Sequence, residues 1–328
     1  MSERLLSDAL TLIVACAAAS GILISFALVV IVPMFTWYVV RRLHDTIERI
    51  DDPRSQAPLA AIAATVPGAS FAVGAIALLV HIARSGCLTL GVGRAVFAVL
   101  TALLIVLFAR ACGRAYARAR EAATLVGTSA AAPPRLAAAT SAVGVRARLL
   151  LSAEPVIVLA GLISPVVLVS SGALERLSDA ELIAALQHEL AHHRRGDQLL
   201  MMAIAFCGDL SPFAVDPLVT TYRCARELAA DREACRYSPS EELAAAILHL
   251  AASSSVVSRG ACCALNDGHR TQERLQVLLR EPPAEVSSPT GHRRLSVTGA
   301  IACTMLIALA PAAVALLVPP CTTIMSMS

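Results

Sequence analysis

Two histidines stand four residues apart around a glutamate in the segment His188-Glu189-Leu190-Ala191-His192. Positions i and i+4 of an α-helix lie on the same face, so both imidazole rings can reach one zinc ion. Glu189, which follows the first histidine, can then act as general base on a water molecule at that ion. The alternative is a pair of solvated histidines that bind nothing. The spacing makes a catalytic zinc site the first hypothesis.

The segment that carries this motif has helix signals of its own. Ser178-Asp179-Ala180-Glu181 matches a capping box, in which a serine and a glutamate side chain satisfy backbone N–H groups at the start of a helix. Apolar residues then recur at helical spacing from Leu182 to Leu190, and Gly196 can end the helix. The pattern therefore predicts that both histidines lie on one helix.

A catalytic zinc site of this type needs a third protein ligand and leaves its fourth position to water. Downstream, Asp216-Pro217 resembles a helix N-cap followed by proline at the first helical position, which predicts a helix to about Tyr237. Glu227 and Asp231 lie one turn apart on that helix. We expect Glu227 to be the third ligand and Asp231 to accept a hydrogen bond from a zinc-bound histidine. The alternative is a charged helix face paired with neighbouring arginines.

The composition around this site is that of a membrane protein. Of the 328 residues, 57% are hydrophobic and 16% are charged, unlike an average soluble domain. The net charge of +3 gives no case for direct nucleic-acid binding. The sequence predicts an integral membrane protein that is mainly α-helical. Four apolar stretches are long enough to cross the lipid bilayer, at about residues 10–40, 66–83, 92–111 and 295–318.

Arginine placement predicts the orientation of these spans. Arginines cluster after the first and third spans and before the fourth, and by the positive-inside rule these segments are cytoplasmic. Both termini then lie outside, where Cys87 and Cys321 could form a disulfide. The predicted regions are a membrane region at 1–112, a cytoplasmic zinc domain at 113–294, the fourth span at 295–318 and an outer tail at 319–328.

Within the zinc domain, two short strands are predicted just before the zinc helix. Val156-Ile157-Val158 and Val166-Val167-Leu168-Val169 are runs rich in β-branched residues, separated by Gly161 and Pro165. An edge strand in this place could align an extended polypeptide across the metal. The apolar run at 199–207 is too short to span the bilayer and is predicted to continue a buried or membrane-apposed helix. The remaining elements are a linker at 129–139 and helices at about 240–252 and 270–279.

Histidines and tyrosines outside the motif are candidates for lesser roles. His269 could stabilise the oxyanion of a tetrahedral intermediate, and Tyr222 and Tyr237 compete for that role. His193 points about 100° away from the zinc-binding face and is predicted either to be solvated or to support a zinc ligand, not to bind zinc itself. His249 lies in an apolar helix and is predicted to be a core residue.

The motifs resemble those of the BlaR/MecR family of integral-membrane zinc peptidases. The resemblance implies one Zn²⁺ per chain, with His188, His192 and Glu227 as ligands and Glu189 as base. It also implies a layout of three spans, a cytoplasmic α+β domain of the gluzincin type and a fourth span. The segments that carry it are Ile163–Leu168, Leu177–Leu182, His188–His192 with Arg195 and Asp197, and Arg226–Asp231.

One feature departs from the receptors that give the family its name. Those receptors carry an extracellular penicillin-binding sensor domain after the last span, whereas about ten residues follow Val318 here, with no S-x-x-K motif. Direct sensing of β-lactams by acylation is therefore not expected. The resemblance still implies a protease in the bacterial plasma membrane that cuts a cytoplasmic or membrane-proximal protein, such as a BlaI-like winged-helix repressor.

Two other functions remain open at this point. A quality-control protease of the HtpX kind would share the zinc motifs and multiple spans but would cut many damaged membrane proteins. A non-enzymatic zinc-binding membrane sensor or scaffold belongs to a different class. Glu189 argues against it, because a structural zinc site has no use for a base and closes its fourth position with a protein ligand. The sequence leaves the oligomeric state undetermined.

Overall fold

The structure, a computed structural model, describes residues 30–84, 91–161, 164–211, 213–251, 263–264 and 271–280. In these ranges the chain forms ten helices and four strands. In chain order they are α1 (30–48), α2 (Pro53–Arg84), α3 (Gly91–Thr128), α4 (Pro134–Val143), β1 (Ala147–Leu150), β2 (Ile157–Ala160), β3 (Val166–Ser170), α5 (Ser171–Arg176), α6 (Asp179–Arg195), α7 (Asp197–Leu210), α8 (Asp216–Ala234), α9 (Ser240–Ala251), β4 (Cys263–Ala264) and α10 (Thr271–Leu279).

Several predictions made from the sequence fall outside the described residues. They are the start of the first span, the fourth span, the outer tail, the oxyanion candidate His269 and the pair Cys87 and Cys321.

Two of the described helices are long and apolar enough to cross a membrane, over Pro53–Val80 and Phe97–Thr128. The predicted spans at 66–83 and 92–111 lie within α2 and α3, but both helices extend beyond them. α2 begins early because its alanine-rich start packs against α8. The boundary predicted at residue 112 falls inside α3, which continues to Thr128.

The two helices differ in what covers them. More than half of the apolar stretch of α2 is buried against the rest of the described chain, chiefly α7 and α8. Almost none of the corresponding stretch of α3 is buried, and Val99, Ile105 and Phe108 are exposed. Large exposed apolar side chains on a helix of this length suit contact with lipid. At its other end, α3 packs Leu125 and Val126 against one face of the sheet.

The two predicted strands are present and pair with each other. β2 and β3 are antiparallel, with Ile157 opposite Val169, in a four-stranded sheet of order β1-β3-β2-β4. β1 runs parallel to β3, and the two-residue β4 pairs with β2 at Val158 and Leu159. Neither β1 nor β4 was predicted. Among the described strands the predicted pair is therefore interior, so the expected edge strand is not β2 or β3.

The prediction of a linker at 129–139 is wrong from Pro134 onwards. Pro133 and Pro134 begin α4, where proline is tolerated because the first helical N–H groups need no intrahelical partner. Leu136 and Ala139 are buried in the main hydrophobic core. An alanine-rich segment that could be mistaken for a spacer is therefore a packing element of the domain.

The main core surrounds α6, which lies between α4, α9 and the inner face of the sheet. Representative buried residues are Leu136, Ile157, Val169, Leu186 and Ile247. The helices predicted near 240–252 and 270–279 are α9 and α10. The apolar run at 199–207 forms the separate helix α7, which packs against both α2 and α3. The contacts of α6 with α4, α9 and the sheet hold it in place within the domain.

Candidate metal centre

Local sequence fixes both ends of α6, the helix that carries the two histidines. Ser178 accepts a hydrogen bond from the backbone N–H of Glu181, and the Glu181 side chain accepts one from the backbone N–H of Ser178. At the other end Gly196 has a left-handed φ of 66°, a conformation that glycine adopts without steric cost. The predicted capping box and helix end are thus confirmed.

α8, which carries Glu227, differs slightly from its predicted form. Asp216 is its first helical residue, and Val215 occupies the N-cap position without a side-chain cap. The helix ends at Ala234 and a turn follows, so the predicted end near Tyr237 is about one turn too late. α6 and α8 pack against each other, which brings the two motif segments together.

The three expected ligands converge on one point. The Nε2 atoms of His188 and His192 are 3.0 Å apart. Glu227 places Oε2 3.4 Å from Nε2 of His188 and Oε1 3.5 Å from Nε2 of His192. A tetrahedral zinc ion with metal–ligand bonds of about 2.05 Å would separate its ligand atoms by about 3.3 Å. The observed spacing therefore fits a zinc ion between these atoms.

Burial and unmet hydrogen bonds also fit a cation. His188 and Glu189 are fully buried, and His192 and Glu227 nearly so. Among the described residues, neither carboxylate oxygen of Glu189 has a hydrogen-bond partner. A buried acceptor without a partner is costly, and a metal ion with its water would relieve that cost. Two histidines and one glutamate are moreover the donor set of catalytic rather than structural zinc sites.

Each histidine is oriented through its other ring nitrogen. Nδ1 of His188 lies 2.8 Å from Oδ1 of Asp231, and Nδ1 of His192 lies 2.6 Å from Oδ2 of Asp197. A carboxylate in this position holds the imidazole ring with Nε2 turned toward the metal and raises its basicity. Asp231 thus lies beside the ring nitrogen of His188, as expected from the sequence, but by distance alone. The contact between Asp197 and His192 is a hydrogen bond as well.

Arg274 of α10 contacts two acids of the site, Asp231 and Glu227. Its guanidinium donates two hydrogen bonds to Asp231, from Nε at 2.8 Å and from Nη2 at 2.7 Å. Its Nη1 lies 3.2 Å from Oε2 of Glu227. Only 2% of the side chain is exposed. Because the pair is bidentate and desolvated, Arg274 both neutralises Asp231 and restricts its orientation.

Burial and neighbouring charges shift the pKa values of the site. Burial raises the pKa of Glu189 to about 7, although the two histidines oppose the shift. Burial alone would raise the pKa of Glu227 as well, but His192, His188 and Arg274 hold it well below its ordinary value. Burial alone would lower the pKa of His192, and the carboxylates of Glu227 and Asp197 instead raise it to about 9. Glu227 is therefore ionised and available to a cation.

The other predicted candidates lie away from these ligands or play packing roles. Tyr222 is buried and its hydroxyl donates to the backbone carbonyl of Asp197, at 3.3 Å. Tyr237 is exposed beneath the guanidinium of Arg194. His193 is exposed, as predicted.

His249 was predicted to be a core residue, and this is wrong. Its side chain is 51% exposed, and Nδ1 lies 3.2 Å from Oε1 of Glu181. The apolar face of α9 is formed instead by Leu243, Ile247 and Leu250. The histidine falls between this face and solvent, and it pairs with the capping glutamate of α6.

For two residues of the site, Asp197 and Arg274, the sequence reasoning assigned no role. Asp197 directly follows the glycine that ends α6, and that position next to a metal-binding helix was the available signal. Arg274 occupies the same buried face of α10 as Leu278, four residues later. An arginine at an apolar helical position indicates a buried acid, but the sequence does not say which acid.

Comparison with known proteins agrees with this geometry. The chain matches the family model described as BlaR1 peptidase M56 over residues 21–278. The match includes every residue named in the site, from His188 to Arg274. No curated protein matches the chain.

Proposed function

Because the chain belongs to the BlaR1 peptidase M56 family, a group of membrane-associated metallopeptidases, we propose that it is a zinc-dependent endopeptidase of the membrane. The observation that carries the proposal is the convergence of His188, His192 and Glu227, with the buried Glu189 beside them on α6. A structural zinc site would close the fourth position with another protein ligand and would have no use for this acid.

The residues of the site divide the work of peptide hydrolysis. When bound, zinc polarises the scissile carbonyl and lowers the pKa of a water molecule. Glu189 accepts a proton from the water molecule while the oxygen of that water adds to the carbonyl carbon. Glu189 then returns the proton to the leaving amine nitrogen as the C–N bond breaks, so the products are a carboxylate and an amine. Burial of Glu189 raises its pKa by disfavouring the charged carboxylate, which favours the acceptance of a proton from water.

The carboxylates around the ligands keep this geometry fixed. Asp231 and Asp197 orient the two imidazoles, and Arg274 holds Asp231 in place. His269 remains our candidate for stabilising the oxyanion.

The substrate we propose is a cytoplasmic or membrane-proximal protein, with a BlaI-like winged-helix repressor as the leading candidate. Support comes from the family resemblance and from the arginine asymmetry that predicts a cytoplasmic catalytic domain with both termini outside. Capture of bound proteins by an inactive Glu189→Ala variant in bacterial membranes tests this. Capture of one repressor would support a signalling role, whereas capture of many damaged membrane proteins would support an HtpX-like quality-control role.

To test the activity itself, the purified full-length protein is incubated in detergent with a mixed peptide library. Mass spectrometry then identifies the new termini that hydrolysis creates. Glu189→Ala should retain one zinc per chain and lose hydrolysis, because the ligands remain while the base is gone. Glu175→Ala, which removes an exposed glutamate on α5, should change neither quantity. A Glu189→Ala protein that still cuts the library would refute the assignment.

A further inference from the structure

A cavity of about 780 Å³ lies between α1 and the start of α8, away from the zinc ligands. Its α1 wall includes Trp37, Tyr38, Arg41 and Arg42. Its opposite wall is apolar and includes the buried Leu218 of α8. The cavity thus joins a cationic, aromatic side to an apolar side.

The exposed surface of α1 changes character at this cavity. Val30, Ile31, Met34 and Phe35 are large apolar residues exposed on the described part of the helix. About two turns later the exposed residues include Arg41 and Arg42. Tryptophan and tyrosine at such a change are typical of the boundary between the hydrocarbon region and the lipid headgroups. With α1 as the end of the first span predicted from the sequence, this cavity would lie at the depth of the lipid headgroups.

Its two arginines are held in place but are not neutralised. The guanidinium carbon of Arg41 lies 5.3 Å from the ring centroid of Trp37, and that of Arg42 lies 5.2 Å from the ring of Tyr38. Nε of Arg42 also donates to the hydroxyl of Tyr38, at 3.1 Å. Within the described part of the chain, no carboxylate forms an ion pair with either arginine.

Asp45 is the one acid among the described residues that line the cavity. It lies 3.3 Å from Nδ1 of His44. His44 in turn contacts Thr221 of α8 through Nε2, at 3.0 Å. Trp37 donates from Nε1 to the carbonyl of Ala214, at 2.9 Å. The contacts of His44 and Trp37 tie α1 to α8. Two arginines against one carboxylate leave this side of the cavity with a net positive charge.

From this juxtaposition we infer that the cavity binds the headgroup of an anionic phospholipid. The guanidinium groups of Arg41 and Arg42 donate to the phosphate, and planar guanidinium groups match phosphate oxygens in pairs. The glycerol backbone and the first acyl carbons pack on the apolar wall that α8 provides. A lipid fits better than a free anion because the cavity has both a cationic and an apolar side at the membrane boundary.

The chain offers a direct probe, because Trp37 is its single tryptophan. Bromine on an acyl chain quenches tryptophan fluorescence at short range. The full-length protein is placed in phosphatidylcholine vesicles that contain equal fractions of brominated phosphatidylglycerol or brominated phosphatidylcholine. Brominated phosphatidylglycerol should quench Trp37 more strongly, and excess unbrominated phosphatidylglycerol should reverse the quenching. Inorganic phosphate should not reverse it.

A pair of double variants tests which arginines are responsible. Each arginine near an anionic lipid surface contributes roughly fivefold to affinity, so Arg41→Gln with Arg42→Gln should reduce the preference for phosphatidylglycerol about 25-fold. Arg49→Gln with Arg120→Gln removes the same charge from exposed positions that do not line the cavity and should leave the preference nearly unchanged.

Three results would overturn the inference. Equal quenching by the two brominated lipids would mean that Trp37 simply faces the bilayer. Equal losses in the two double variants would mean that net charge alone attracts the lipid. Reversal by inorganic phosphate would assign the site to a free anion. None of these results depends on peptidase activity, so the inference and the proposed function can fail separately.

Discussion

Replacing Arg274 by methionine is expected to destabilise the protein far more than replacing an exposed arginine. The substitution keeps a long side chain in place of the arginine but removes its charge and its donors. It leaves Asp231, 1% exposed, without the bidentate partner that neutralises it. A buried charge without its partner is poorly tolerated, because water cannot replace the lost interactions.

The size of the loss follows from what Asp231 retains. Removing one partner of a buried ion pair costs about 3–5 kcal/mol of folding free energy. Nδ1 of His188 remains 2.8 Å from Asp231, so we expect the lower end of that range, about 3 kcal/mol. For a domain of roughly 150–250 residues, a loss of about 3 kcal/mol lowers the unfolding temperature by roughly 6–12 °C.

Zinc is first removed from the full-length protein with a chelator. Thermal unfolding in detergent is then monitored by circular dichroism. Arg236→Met is the matched control, because Arg236 is 55% exposed and its pair with Glu233 should be worth less than about 1 kcal/mol. Adding Asp231→Asn to Arg274→Met should recover part of the loss. A decrease for Arg274→Met no larger than that for Arg236→Met would refute the reasoning.

Two further substitutions test the site and the helix packing. Asp197→Asn should weaken zinc binding about 10–100-fold in chelator competition, because the carboxylate that orients an imidazole loses its charge, while the exposed Asp179→Asn should not. Gly68→Ala should lower the unfolding temperature by roughly 2–12 °C, because its Cβ would overlap the backbone carbonyl of Cys207 where α2 meets α7. Gly113→Ala has open space around the new methyl group and should be neutral or slightly stabilising.

The zinc helix could be predicted because its determinants are local. A capping box at Ser178, a left-handed glycine at Gly196 and the spacing of the two histidines all act within one helix. The strands β2 and β3 could be predicted for a similar reason, since each is a short run rich in β-branched residues. Glu227 was expected because it lies one helical turn before Asp231 on α8 and because a catalytic zinc site needs a third protein ligand.

The remaining features depend on contacts between distant segments, which a single sequence does not reveal. Arg274 lies 43 positions from Asp231 along the chain, and no spacing rule joins them. β4 has two residues, too few for a periodic pattern. α4 resembles a spacer because alanine and proline do not indicate burial by themselves. The excess length of α2 reflects its packing on α8, where tertiary contacts outweigh local signals.

A zinc titration of the metal-free protein tests the central claim most directly. Full-length protein is stripped with a chelator, and hydrolysis of the peptide library is measured as zinc is added. We predict no hydrolysis without zinc, a rise that ends at one equivalent per chain, and no recovery at that level in a Glu227→Ala variant. Hydrolysis that persists in the stripped protein, or that returns equally in Glu227→Ala, would contradict a zinc peptidase built on His188, His192 and Glu227.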